Sequence, residues 1–86
     1  IGLASAGPMN IDKGILVNPV NFPGWKKVPI KMLLEKALIK NGFKAKVYFQ
    51  NDAIAAAFAE GWVGGAQKMV SYVVITVGTG IGSGVI

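Results

Sequence analysis

Apolar residues at Ile30, Leu33, Leu34, Ala37 and Leu38 follow the i, i+3, i+4, i+7, i+8 spacing of one helical face, with Lys31, Glu35, Lys36 and Lys40 opposite. The pattern predicts a helix from Pro29, a residue suited to the first helical position, closed by Asn41-Gly42. Residues 44–50 then alternate polar and apolar as a strand does. They lead into a second helix over residues 53–60, ended by Gly61 and the pair Gly64-Gly65. Upstream, residues 1–6 are small and apolar enough for a buried strand that Gly7-Pro8 ends, and a turn at residues 11–14 before Ile15-Leu-Val17 gives a short β-ribbon. Two prolines, a glycine and two asparagines in residues 18–25 prevent regular structure and place Asn21 and Trp25 on a constrained loop. A last strand covers residues 70–77. Strand, helix, strand, helix is an α/β order.

Behind that last strand, glycines stand on every second position at Gly78, Gly80, Gly82 and Gly84. Alternate glycines strip one face of a strand or tight hairpin of side chains, so an anion can approach the backbone N–H groups. The run is not a Walker loop, because no Gly-Lys-Ser/Thr follows. It is not the dinucleotide fingerprint either, since the third glycine falls on Ser83 or Val85 and an apolar pair rather than a helix follows. Taken alone, it reads either as a phosphate cradle or as a glycine-rich β-hairpin.

With 86 residues, 52% of them apolar, the chain can form a core at a size that leaves little margin. It starts on Ile1 and stops on Val85-Ile86 in mid-strand, which reads as a piece of a longer protein. No secretory-signal pattern or bilayer-length apolar run is present, and a soluble cytoplasmic domain is the expectation. The absence of cysteine and histidine excludes disulfides, thiol chemistry, imidazole bases and zinc ligation from this segment. The net charge of +5 comes from nine lysines, with no arginine, against Asp12, Glu35, Asp52 and Glu60. Lysines spread from Lys13 to Lys68 read as a solvated basic surface rather than a nucleic-acid footprint.

The junction Gln50-Asn51-Asp52 joins a strand end to a helix start, where open α/β sheets bind ligands. Asp52 has two readings. Asn and Asp are favoured helix N-caps, worth about 1 kcal/mol with no chemistry. An oriented carboxylate at the positive end of a helix is also placed to accept a hydroxyl proton, as an aspartate does in phosphoryl transfer.

In this order the residues resemble the ROK family of repressors and sugar kinases, within the sugar kinase and actin-like ATPase superfamily. The resemblance runs through Ile1-Gly-Leu-Ala-Ser-Ala-Gly-Pro-Met-Asn10, Asp12-Lys-Gly14, Asn21-Phe-Pro-Gly-Trp25, Asn51-Asp52-Ala53 with Ala55-Ala-Ala-Phe-Ala-Glu60, and Gly78-Thr-Gly-Ile-Gly-Ser-Gly84. It implies part of an α/β, actin-like ATPase (ribonuclease H-like) fold. Residues 1–69 would belong to the N-terminal lobe with its sugar-binding and catalytic residues, and residues 70–86 would start the C-terminal lobe with the second phosphate-binding loop. It implies a kinase that moves the terminal phosphoryl of Mg-ATP to a hexose bound in the interlobe cleft, glucokinase-like, in a cytoplasmic homo-oligomer. Asp52 would be the base, Asn51, Asp52, Gly7 and Asn21 would bind sugar, and Gly78, Thr79, Gly80, Ile81 and Gly82 would bind nucleotide.

The resemblance places the first phosphate loop upstream of Ile1 and a cysteine-rich zinc site downstream of Ile86, with no metal ligand in between. Ile54 stands where the family commonly has a second asparagine, and Ser83 where it commonly has glycine. The alternative within the family is a transcriptional repressor that uses the same domain as a sugar sensor, the one reading that brings a nucleic-acid partner. A third reading is a non-catalytic α/β binding domain in which Asp52 is only a cap.

Overall fold

Strand β1 (Gly2–Ser5) pairs in parallel with β5 (Tyr48–Asn51), from Gly2 opposite Tyr48 to Ser5 opposite Asn51. A computed structural model describes all 86 residues, and packing gathers them into two units, Ile1–Asn51 and Asp52–Ile86. A parallel pair needs a long crossover, and here it holds a three-stranded antiparallel ribbon and a helix. The expected strand at residues 44–50 keeps its alternation, with Val47 and Phe49 buried on either side of exposed Tyr48. Its ladder runs from Tyr48 to Asn51, and ahead of it the Ile1 ammonium donates to the Lys46 carbonyl at 2.7 Å and the Tyr48 N–H to the Ile1 carbonyl at 2.8 Å. β1 itself is not buried as expected: with one partner strand, Leu3 and Ser5 are half-buried and Gly2 and Ala4 exposed.

The ribbon consists of β2 (Met9–Asn10), β3 (Ile15–Val17) and β4 (Lys27–Val28), with fully buried Leu16 opposite both Met9 and Val28. At its turn the Gly14 N–H donates to the Ile11 carbonyl at 3.1 Å, and Gly14 takes φ +69°, a left-handed value that glycine adopts without a Cβ clash. The two-residue β4 has no counterpart in the sequence pattern, because a strand that short shows no periodicity.

Helix α1 (Ile30–Lys40) starts one residue later than expected, with Pro29 as its N-cap. The Lys31 N–H donates to the Gly14 carbonyl at 3.2 Å and ties its first turn to the ribbon. At the other end Asn41 donates through Nδ2 to the Ala37 carbonyl, Gly42 turns at φ +83°, and the Phe43 N–H reaches the Leu38 carbonyl at 2.9 Å. Of the predicted apolar face, Ile30, Leu34 and Leu38 are half-buried while Leu33 and Ala37 are exposed.

In the second unit, α2 (Asp52–Val63) runs through Gly61, where the sequence predicts an end. A Cβ on Gly61 would strike the Tyr72 hydroxyl, which donates to the Ala57 carbonyl at 2.9 Å. That glycine makes room for a side chain rather than stopping the helix. The stop comes at Gly64-Gly65, where the Gly65 N–H donates to a Glu60 carboxylate oxygen. β6 (Val73–Val77) and β7 (Ile81–Val85) form an antiparallel hairpin, extended by paired N–H to carbonyl bonds between Tyr72 and Ile86.

Candidate functional site

β1 and β5 end side by side at Ser5 and Asn51, so the chain emerging from each passes the carboxyl ends of a parallel pair, where α/β sheets bind ligands. Gly7 follows β1 in a cis Gly7–Pro8 peptide, and a Cβ on it would lie 4.0 Å from Asn51 Nδ2 and 3.4 Å from the Met9 nitrogen. The fold thus brings together Gly7 and Asn51, which lie far apart in sequence. Asn51 is half-buried, and its N–H donates to Gln50 Oε1 at 2.8 Å.

Asn21 is exposed on the loop between β3 and β4. Hydrogen bonds from the Phe22 N–H to the Pro19 carbonyl and from the Trp25 N–H to the Phe22 carbonyl brace that loop. The Phe22 and Trp25 rings stack over it with centroids 4.8 Å apart. The sequence points to Trp25 but not to the stack, whose only signal is two aromatics three positions apart in a turn.

Asp52 opens α2 in the second unit, exposed, with Oδ1 accepting the Ala53 N–H at 2.8 Å. The carboxylate is therefore oriented by the first turn of the helix and still open to a second partner. At the hairpin tip the Gly78 N–H donates to the Gly80 carbonyl at 2.9 Å, while the Thr79 and Gly80 N–H groups enter none of the chain's own hydrogen bonds. A Cβ on Gly78 or Gly80 would meet no heavy atom within 4 Å.

Further along, the same alternation serves something else. A Cβ on Gly82 would lie 3.1 Å from Ala53 Cβ and 2.8 Å from Thr76 Oγ1, and one on Gly84 would lie 2.6 Å from Ala57 Cβ and 2.7 Å from the Ala53 carbonyl oxygen. Half of the glycine pattern opens the tip; the other half lets β7 lie directly on α2. Sequence reasoning misses this contact, although alanines at positions 53 and 57 and glycines at 82 and 84 both carry its spacing.

Residues 1–86 match the ROK family along their whole length. The chain belongs to the ROK family. It is 37% identical to a glucokinase of Thermotoga maritima across the whole chain, which corresponds to 26% of that protein. It is 29% identical to the xylose repressor of Caldicellulosiruptor bescii, of which it spans 20%. Among solved structures, a ROK hexokinase from Thermus thermophilus superposes with a TM-score of 0.77 at 41% identity, the chain covering 26% of it. The fold is accordingly part of an actin-like ATPase fold, and the ROK chain spans about a quarter of the length of these kinases. No helix in it is long and apolar enough to cross a membrane.

Proposed function

We propose that this ROK chain is the middle portion of a hexose kinase, glucokinase-like, in which Asp52 is the general base. The observation that carries the reading is Asp52 itself: an exposed carboxylate whose Oδ1 is fixed by the Ala53 N–H, directly after Asn51. In the reaction the carboxylate takes the proton of a sugar hydroxyl as that oxygen forms its bond to the terminal phosphorus of ATP. The bond from that phosphorus to the bridging oxygen breaks, and ADP leaves. Asn51, Gly7 and Asn21 serve the sugar, Asn51 as a hydrogen-bonding amide and Gly7 by setting main chain rather than a side chain beside that amide.

The tip Gly78-Thr79-Gly80 suits nucleotide phosphates: it lacks obstructing side chains, and two of its amides are unused. Ile81 and Gly82 continue that loop into β7. Mg-ATP supplies the transferred phosphoryl group and neutralises its charge when bound. No group of three or more acidic, cysteine or histidine side chains gathers in this chain to hold a metal. Zinc would need ligands outside these residues. In the longer protein, residues 1–69 would belong to the N-terminal lobe and residues 70–86 would open the C-terminal lobe, in a cytoplasmic homo-oligomer.

A second reading, a sugar-responsive repressor, draws on the likeness to the xylose repressor. A coupled ADP-release assay on the full-length protein with Mg-ATP and a panel of hexoses decides between them. Sugar-dependent turnover is expected; sugar binding without turnover, together with sugar-sensitive DNA binding, would establish the repressor instead.

A further inference from the structure

We infer that Gly82 is a positioning residue for Asp52, setting how α2 seats on β7, rather than a contact for nucleotide phosphate; the inference rests on the kinase reading above. Gly82 and Gly84 are two apart on β7 and share the strand face that meets the first turns of α2. The space where a Gly82 side chain would stand is already taken by Thr76 Oγ1, 2.8 Å from the position a Cβ would occupy and able to rotate aside, and by Ala53 Cβ at 3.1 Å, which is not. Ala53 is 5% exposed, and its N–H holds the Asp52 carboxylate at 2.8 Å. A methyl added at Gly82 therefore presses on the residue whose amide orients the base. At the tip the situation is the reverse, because Gly78 and Gly80 have open space where a side chain would stand.

Two further features hold the hairpin close to the helix. The Ala53 carbonyl oxygen and Ile54 Cα, both main-chain atoms, stand 2.7 Å and 3.1 Å from the Cβ position of Gly84. Farther along, the Tyr72 hydroxyl anchors the hairpin to the Ala57 carbonyl over the notch at Gly61. With the helix held at these points, a push at Ala53 is taken up in its first turn, where Asp52 lies.

The test is steady-state kinetics on the full-length protein with Gly82→Ala. Misplacing a catalytic group by a fraction of an ångström is expected to lower kcat about tenfold while leaving KM for sugar and for ATP within about twofold. Ala53→Gly in the same chain, which removes the opposing methyl, restores most of kcat. Thr76→Ala, which clears the neighbour on the hairpin side, does not. Ala53→Ser thickens the same contact from the helix side and carries the same expectation if Gly82→Ala does not fold. A raised KM for ATP with kcat retained would overturn the inference and make Gly82 a phosphate-loop glycine; so would rescue by Thr76→Ala, or unchanged kinetics. A wild-type protein without sugar-dependent turnover would overturn the kinase reading first, and this inference with it.

Discussion

Replacing Gly84 by alanine probes the most crowded contact in the second unit. The new Cβ would lie 2.6 Å from Ala57 Cβ, 2.7 Å from the Ala53 carbonyl oxygen and 3.1 Å from Ile54 Cα. Carbon atoms pack at about 3.5–4.0 Å, so β7 and α2 must part by about 1 Å. None of the three obstacles can rotate away, since two are main-chain atoms and the third is an alanine methyl. Overpacking usually costs about 1–3 kcal/mol, and a site with no yielding neighbour belongs at the upper end, about 3 kcal/mol. Gly80→Ala is the matched control, with open space around its Cβ and no left-handed φ, and should change stability by less than about 0.5 kcal/mol. Urea unfolding of the full-length protein, followed by circular dichroism, measures both, read from midpoints at unchanged slope. A Gly84→Ala protein as stable as wild type, or a Gly80→Ala protein weakened equally, would refute the packing argument.

Other outcomes follow from the same geometry. Gly61→Ala should be close to neutral in thermal unfolding, because about 1 kcal/mol of helix propensity offsets about 1 kcal/mol for the displaced Tyr72 hydroxyl bond; in a Tyr72→Phe background it should stabilise. Gly14→Ala combines φ +69° with a Cβ 2.6 Å from Lys31 Cβ, and should cost at least about 2 kcal/mol in the same measurement. Gly80→Val should raise KM for ATP about tenfold while KM for sugar holds, by masking the tip amides. The 86 residues made alone should self-associate in light scattering, because Val73, Ile75, Val77, Ile81 and Val85 are exposed on the hairpin, and should show no sugar-dependent ADP release, because they span only 26% of the kinases they resemble.

Much of this arrangement is legible in the sequence because it is written locally. The i, i+3, i+4 spacing locates α1 to within a residue, and the strand-to-helix switch at Asn51-Asp52 falls where the composition changes. What the sequence hides is what depends on neighbours distant in the chain. Gly61 looks like a helix stop until Tyr72 is seen above it, and Gly82 looks like its partners at the tip until Ala53 is seen beneath it. The pairing of Gly7 with Asn51 likewise needs the parallel register of β1 and β5, which no local pattern encodes. Leu33 and Ala37 show the converse: their spacing sets them on the apolar face, yet both are exposed.

The central claim, that Asp52 is a base and not merely a helix-terminal carboxylate, is tested most directly by Asp52→Asn in the full-length protein. Asp52 is the first residue of α2 rather than its N-cap; asparagine keeps a side-chain oxygen for the Ala53 N–H and loses only the attraction of a carboxylate to the helix N-terminus, about 0.3–1 kcal/mol, so the unfolding midpoint should move little. It cannot take the hydroxyl proton, and kcat for sugar phosphorylation should fall by about 10² to 10⁴. A variant that unfolds like wild type and also turns over like wild type would contradict the account.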